Sequence, residues 1–302
     1  MSGYVGRFAP SPTGPLHFGS LVTAVASYCD AKANEGQWLV RIEDLDRPRE
    51  MAGASQIILS TLEAFGFIWD GSIIYQSQRT QAYEEAFVLL QEMGKTYGCT
   101  CSRKEIADSA VRTGIEGVIY PKSCLQHPPT ASKNMAYRIM TENRSLSFVD
   151  RVQGVIHQNL AQDIGDFVLK RADGLFTYQL AVVVDDAYQN ITHIVRGSDL
   201  LNSTTRQLYL QQLLGFKAPC YAHIPIVVNE HGEKLSKQTL AETVEIEQAN
   251  QLLYLALKFL GQNLPHELQY ESITSIWQWA ITHWSLALIP KQYANTMPIL
   301  TK

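Results

Sequence analysis

Apolar positions along the chain follow two periods that alternate. Leu21, Val22, Val25 and Ala26 recur at helical spacing ahead of a stop at Gly36, and Trp38-Leu39-Val40-Arg41-Ile42 is a continuous apolar run of strand length. With a strand candidate over residues 4–8 in front, the order strand, glycine turn, helix, strand predicts a parallel α/β sheet. Two further helices are expected, one carrying Ile57, Ile58, Leu62 and Phe65, the other Ala82, Ala86, Leu89, Leu90 and Met93, closed by Gly66 and Gly94. Between 97 and 151 the periodicity fades into short pieces containing Cys and Pro, which predicts an insertion, and Ser102-Arg103-Lys104-Glu105 there reads as a capping box. The sheet is expected to resume with 167–170, an Asp173-Gly174 turn and the apolar run 180–184. A strand over 191–195, a helix with Leu200, Leu201, Leu208, Leu213 and Leu214, and a last strand over 221–228 follow. From about 241 the pattern is helical and rich in Leu, Tyr and Trp. The expected organisation is a core in two halves, 1–96 and 152–240, an insertion at 97–151, and a C-terminal helical region at 241–302.

The chain has 302 residues, 46% of them hydrophobic, enough for one substantial core or two modest ones. No run approaches a membrane span and no signal peptide precedes Arg7, so a cytoplasmic protein with no membrane partner is expected. Five Cys, an odd number, argue against a disulfide framework and for a reducing compartment. A net charge of −4 does not advertise a nucleic-acid partner, but the charge is uneven. Residues 95–151 hold nine Lys/Arg against five Asp/Glu, whereas 240–302 hold three against five. A phosphate-binding face therefore belongs to the middle of the chain.

Two segments far apart carry the candidate chemistry. Pro10-Ser11-Pro12-Thr13-Gly14-Pro15-Leu16-His17-Phe18-Gly19 sets a Pro/Gly turn and a His where a helix begins, so free N–H groups and the positive helix end can face a polyphosphate. Glu233-Lys234-Leu235-Ser236-Lys237 puts two cations three residues apart beyond Gly232. Each is weak alone, since Lys-x-x-Lys is ordinarily a solvated surface pair. Together they describe a divided ATP site, with cations that meet the charge building on departing pyrophosphate.

Four motifs in order, Arg7-Phe8-Ala9-Pro10-Ser11-Pro12-Thr13-Gly14-x-Leu16-His17-x-Gly19, Arg41-x-Glu43-Asp44-x-Asp46, Val195-Arg196-Gly197-x-Asp199-Leu200 and Lys234-Leu235-Ser236-Lys237, closely resemble the catalytic domain of bacterial glutamyl-tRNA synthetases. The resemblance covers roughly residues 1–240. It implies a class I, Rossmann-like α/β core with signatures usually written HIGH and KMSKS. Ser20 stands here in place of the final His of the first. It further implies His17, Lys234 and Lys237 as catalytic residues, and His17, Gly19, Ser20 and Lys237 on ATP with Mg²⁺. The glutamate site would be lined by Arg7, Phe8, Ala9, Pro10, Ser11, Glu43, Tyr178 and Arg196. Glutamate has two carboxylates and one ammonium, so Arg7 and Arg196 are the natural clamps and Glu43 the natural partner of the ammonium.

The insertion offers a second site. Cys99-x-Cys101 with Cys124 supplies three thiolates, and Tyr120 or His127 could complete a tetrahedral Zn²⁺ shell, though scattered reduced cysteines fit the spacing too. Truncated paralogues within the family, which pass glutamate to queuosine in the anticodon loop of tRNA(Asp), carry a Cys-x-Cys and Tyr-x-x-x-Cys zinc site. The run Tyr120-Pro121-Lys122-Ser123-Cys124 resembles its second half. Only 241–302 follow the Lys loop, without any Arg, where full synthetases carry a large helical anticodon-binding region. The expected substrates are therefore ATP, L-glutamate and queuosine-containing tRNA(Asp), and the expected state a monomer. The alternatives are a shortened synthetase charging a tRNA 3′ end, a small-molecule adenylyltransferase and, remotely, a non-catalytic binding module. Trp277, Trp279 and Trp284 are expected to be buried rather than stacked on bases.

Overall fold

The computed structural model describes residues 3–130, 134–229, 232 and 243–298. Strand β1 (Val5–Phe8) leads through helix α1 (Phe18–Ala33) to β2 (Gln37–Ile42), and the two strands pair in parallel with Arg7 opposite Leu39. Helix α2 (Ala54–Ala64), strand β3 (Ile74–Tyr75) and helix α3 (Thr80–Glu92) complete this half, with β3 parallel to β2. After α2 the chain turns at Gly66 with φ +77°, where an added Cβ would meet Ile273 Cγ2 at 2.8 Å. Only glycine takes that backbone state so close to a neighbour without strain.

The insertion begins with β4 (Thr96–Cys99) and α4 (Arg103–Ser109), whose capping box forms as the sequence predicts, with Ser102 and Glu105 bonding each other's backbone N–H. A small hairpin of β5 (Thr113–Gly114) and β6 (Gly117–Val118), helix α5 (Ser123–Gln126) and strand β7 (Ala136–Ile139) follow. A longer hairpin pairs β8 (Ser145–Asp150) with β9 (Gly154–Asn159). Strand β10 (Val168–Lys170) then pairs antiparallel with β7, giving a separate sheet in the order β10-β7-β4. The expectation that 167–170 resumes the main sheet is corrected by this pairing.

A second correction concerns 180–184, which is not a strand but the middle of helix α6 (Tyr178–Tyr188). Leu180, Ala181, Val182, Val183 and Val184 are all buried, because other elements cover this stretch of the helix. No polar face remained to reveal a helical period. Strand β11 (His193–Gly197) and helix α7 (Leu201–Leu214) precede β12 (Cys220–Ile224), which is parallel to β11. The N–H of Thr192 bonds the carbonyl of Val5 at 2.9 Å, so the second half abuts the first along β1. The single strand expected over 221–228 is interrupted at Pro225, which has no N–H for a ladder. Its remainder, β13 (Ile226–Val228), takes a different neighbour.

The C-terminal region contributes α8 (Ala249–Phe259) and α9 (Ile273–His283), and then a strand the apolar pattern did not reveal, β14 (Ala294–Thr296), parallel to β13. One apolar core runs through α1, β2, α2, α8 and α9, and a second joins α3, α6, α7, β7 and β10. Among the described residues no helix is long and apolar enough to cross a membrane.

Candidate active site

A cavity of about 410 Å³ opens at the C-terminal ends of β1, β2 and β11. In open parallel sheets this edge is where ligands collect, because the loops there diverge. Its lining includes Arg7, Phe8, Ala9, Pro10 and Ser11 from β1 and the loop that follows. His17, Gly19 and Ser20 at the head of α1 form another wall, and Glu43, Tyr178 and Arg196 a third. Every predicted residue of the glutamate and ATP sites within the described structure therefore meets in one space. Lys234 and Lys237 lie outside the described residues. Of the described segments before and after them, Ile226 and Val227 line the cavity, and Thr243 forms a bridge with His17 while the N–H of Val244 bonds the Leu16 carbonyl at 3.1 Å.

One end of the cavity is built to hold charge. Asp186, at the buried end of α6, accepts from Arg7 Nε at 3.1 Å and from Arg41 Nη1 at 2.8 Å on the same Oδ1. Burial opposes its ionisation, but Arg7 and Arg41 more than compensate and hold its carboxyl below the usual range. Arg7, held through Nε by Asp186, lines the cavity. Arg41 Nη2 donates to Glu43 Oε1 at 3.1 Å, and burial nevertheless pushes the Glu43 carboxyl above its ordinary value. Glu43 therefore pairs with Arg41 rather than with Arg7. Arg196 donates from Nη1 to the Tyr178 hydroxyl at 3.2 Å, and burial raises that phenol, so it stays protonated with its own O–H available to a ligand. Two guanidiniums, one phenol and one carboxylate in a single recess suit a molecule carrying two carboxylates and an ammonium.

The other end is formed by the start of α1. His17 caps α1 by accepting the Ser20 N–H at Nδ1, 3.3 Å away, and the Ser20 hydroxyl lies 3.0 Å from His17 Nε2. Ser20 thus braces the ring of His17 from the position where the resembling family has its final His. Gly19 and Ser20 of the first turn line the cavity at the positive end of this 16-residue helix, where an anion is favoured.

In the insertion, the sulfurs of Cys99, Cys101 and Cys124 lie within 4.8 Å of one another. Thiolates about 2.3 Å from a tetrahedral zinc stand about 3.8 Å apart, so this spacing suits such an ion. Tyr120 is the fourth member: its hydroxyl is 3.4 Å from Cys99 Sγ and 3.5 Å from Cys101 Sγ, and accepts the Cys124 N–H at 2.9 Å. His127, the other candidate, is the exposed C-cap of α5 and lies outside the group. Burial opposes ionisation of the Cys124 thiol, yet hydrogen bonds with Tyr120, the Thr100 backbone, Cys101 and Cys99 bring it down to about 6.

Several residues of the site were missed by sequence reasoning. Asp186 was hidden in an apolar run, although an Asp-Asp pair ending such a run must find partners. Its neighbour Asp185 does so with Arg79, Gln76 and Tyr83. Arg49 also lines the cavity, beside Asp199 of the third motif, and His223 Nε2 accepts from Arg196 Nε.

The geometry agrees with three comparisons. The family model of class I tRNA synthetases (E and Q), catalytic domain, matches residues 4–262. A glutamyl-Q tRNA(Asp) synthetase of Dechloromonas aromatica (strain RCB) is 52% identical over 298 residues, 98% of this chain and 99% of that one. Its counterpart from Aromatoleum aromaticum is 53% identical over 98% of this chain and 93% of its own. The fold is similar to a crystal structure of glutamate-tRNA synthetase from Elizabethkingia anophelis, with TM-score 0.79, 23% identity, and coverage of 98% of this chain and 68% of the other. The chain belongs to the class I tRNA synthetases of the E and Q family, in the branch whose members are the glutamyl-Q tRNA(Asp) synthetases.

Proposed function

We propose that this chain activates L-glutamate with ATP, without needing tRNA, and passes the glutamyl group to queuosine in the anticodon loop of tRNA(Asp). What supports this most is the one cavity that unites Arg7, Glu43, Tyr178 and Arg196 with the N-terminus of α1. In the first step a carboxylate oxygen of glutamate attacks the α-phosphorus of ATP, the bond to the β-phosphate oxygen breaks, and pyrophosphate leaves. Arg7 and Arg196 hold the carboxylates, Glu43 the ammonium, and the helix end with His17 the phosphates, while Mg²⁺ accompanies the nucleotide. Lys237, assisted by Lys234, meets the charge on pyrophosphate. In the second step a hydroxyl of the queuosine cyclopentene diol attacks the acyl carbon, forming an ester and releasing AMP. That diol resembles the ribose diol of a tRNA 3′ end, so the same carbonyl geometry serves. The names of the relatives supply the acceptor.

Zn²⁺ is proposed to be held by Cys99, Cys101, Tyr120 and Cys124, where it would tie β4 to α5 as a structural cross-link. No step of either reaction is assigned to it.

The test has two parts. ATP–pyrophosphate exchange should depend on L-glutamate and proceed with no RNA present; exchange that requires tRNA would overturn the activation claim. Labelled glutamate should attach to tRNA(Asp) containing queuosine and not to the same transcript without it. Equal labelling of both would point to charging of the 3′ end.

A further inference from the structure

We propose that His223 is a positioning residue for glutamate recognition: through its Nε2 it fixes the orientation of Arg196, and Asp150 fixes the His223 tautomer that makes this possible. His223 sits on β12 directly opposite Arg196 in the parallel register, with none of its surface exposed. Arg196 Nε lies 3.0 Å from His223 Nε2, and Asp150 Oδ2 lies 2.6 Å from His223 Nδ1. A guanidinium N–H can only donate. Nε2 must therefore be the unprotonated nitrogen, and the ring proton must sit on Nδ1 and point at the carboxylate. Burial drives the imidazole down to about 4 despite Asp150, so this neutral form holds across the working range. An imidazolium would turn an N–H toward the Arg196 N–H, and the two would repel.

The donor count of Arg196 shows what this achieves. Guanidinium offers five N–H groups. Nε is bonded to His223, Nη2 to Thr204 Oγ1 at 2.8 Å and the Leu200 carbonyl at 3.3 Å, and one Nη1 hydrogen to Tyr178. The remaining Nη1 hydrogen lies beside the Tyr178 O–H, and both residues line the cavity. These two donors form a fixed fork for one carboxylate, and none of the four protein acceptors is itself a carboxylate that would compete for the charge. Asp150 is equally committed: its Oδ1 accepts from the N–H groups of Val152, Gln153 and His223. Asp150 ends β8, so the hairpin leaving the insertion underpins the amino-acid clamp. Neither residue belongs to the four sequence motifs.

This rests on the glutamate reading of the cavity. The test therefore begins with wild-type exchange activity, whose absence would sink that reading and not this one. With wild type active, two variants separate positioning from mere structural support. His223→Gln can place an amide oxygen near the Nε2 position and keep an acceptor for Arg196, whereas His223→Asn can keep a donor to Asp150 but no acceptor that reaches Arg196. The KM for glutamate should rise about ten- to a hundredfold in His223→Asn, stay within about threefold of wild type in His223→Gln, and leave the KM for ATP unchanged in both. Equal KM values in the two variants, or the reverse order, would overturn the proposal. Should His223→Asn not fold, Asp150→Asn keeps Oδ1 for the backbone N–H groups of Val152, Gln153 and His223 but presents an amide N–H to Nδ1, which moves the ring proton to Nε2 and sets it against Arg196. The KM for glutamate should then rise severalfold at constant KM for ATP, and an unchanged value would overturn the proposal.

Discussion

Glu43 sits at an ionisation balance with a functional consequence. Burial raises its carboxyl above the ordinary value while Arg41 and Arg7 pull it back only in part. Only the carboxylate form attracts an ammonium, and a raised pKa means protonation sets in at a higher pH than for an exposed Glu. Affinity for a non-hydrolysable glutamyl-adenylate analogue should therefore fall as the pH is lowered from 7 toward 5. Calorimetric titration checks this: Glu43→Gln should bind about tenfold or more weakly at pH 7 and lose the acid limb. An affinity independent of pH in wild type would count against the ammonium role. Asp186 works in the opposite sense, ionised and shared by two buried arginines. Asp186→Ala leaves both without their common counterion and should cost about 3–5 kcal/mol in urea unfolding. The motif residues of the site were legible because the chemistry constrains contiguous stretches. Asp186 was not, since its bond to Arg7 spans 179 residues and no spacing rule reaches that far.

At the scale of elements, legibility followed exposure. Helices α2 and α3 keep a polar face, so their apolar stripes are legible in the sequence; within α6 the run 180–184 is apolar and buried throughout, which has the pattern of a strand. Strand β14 is three residues long and gains its identity from β13, a pairing no local pattern encodes. The insertion shows the converse: it has little periodicity, but ligand-type residues brought Cys99, Cys101, Tyr120 and Cys124 together in the reading, and they converge in space. Such a cluster has few apolar partners and depends on a cross-link for order. Freshly purified protein should hold about one equivalent of zinc by elemental analysis. Cys124→Ser should bring that below about a third and expose 97–130 to limited proteolysis while the α/β core stays intact. Full zinc content in Cys124→Ser would exclude the thiolate site.

Across the whole molecule, packing decides whether 243–298 is an appendage or part of the α/β unit. Helices α8 and α9 share one apolar core with α1, the helix whose N-terminus faces the cavity. Trp277 is buried, packs edge-on against Tyr28 of α1 and Phe67, and donates its indole N–H to the Phe65 carbonyl at 2.9 Å. The Trp284 indole N–H reaches Asp30 of α1, which also accepts from Tyr4 and Arg151. These tryptophans bind the tail to the core, so unfolding the tail strips α1 of its cover. Trp277→Ala should destabilise the protein by about 3–5 kcal/mol, the range for large aromatic deletions in a packed core. Gly66→Ala, which forces a side chain into Ile273 at a positive φ, should cost about 1–2 kcal/mol. In both variants helical circular dichroism, tryptophan fluorescence and loss of adenylate-analogue binding should share one midpoint, displaced from wild type. An early transition that melts only the C-terminal helices and leaves analogue binding intact would show that the tail is a separate unit. The packing around Asp30 argues that it is not, because Tyr4 before β1, α1, the β8–β9 hairpin and the tail all meet at that one carboxylate.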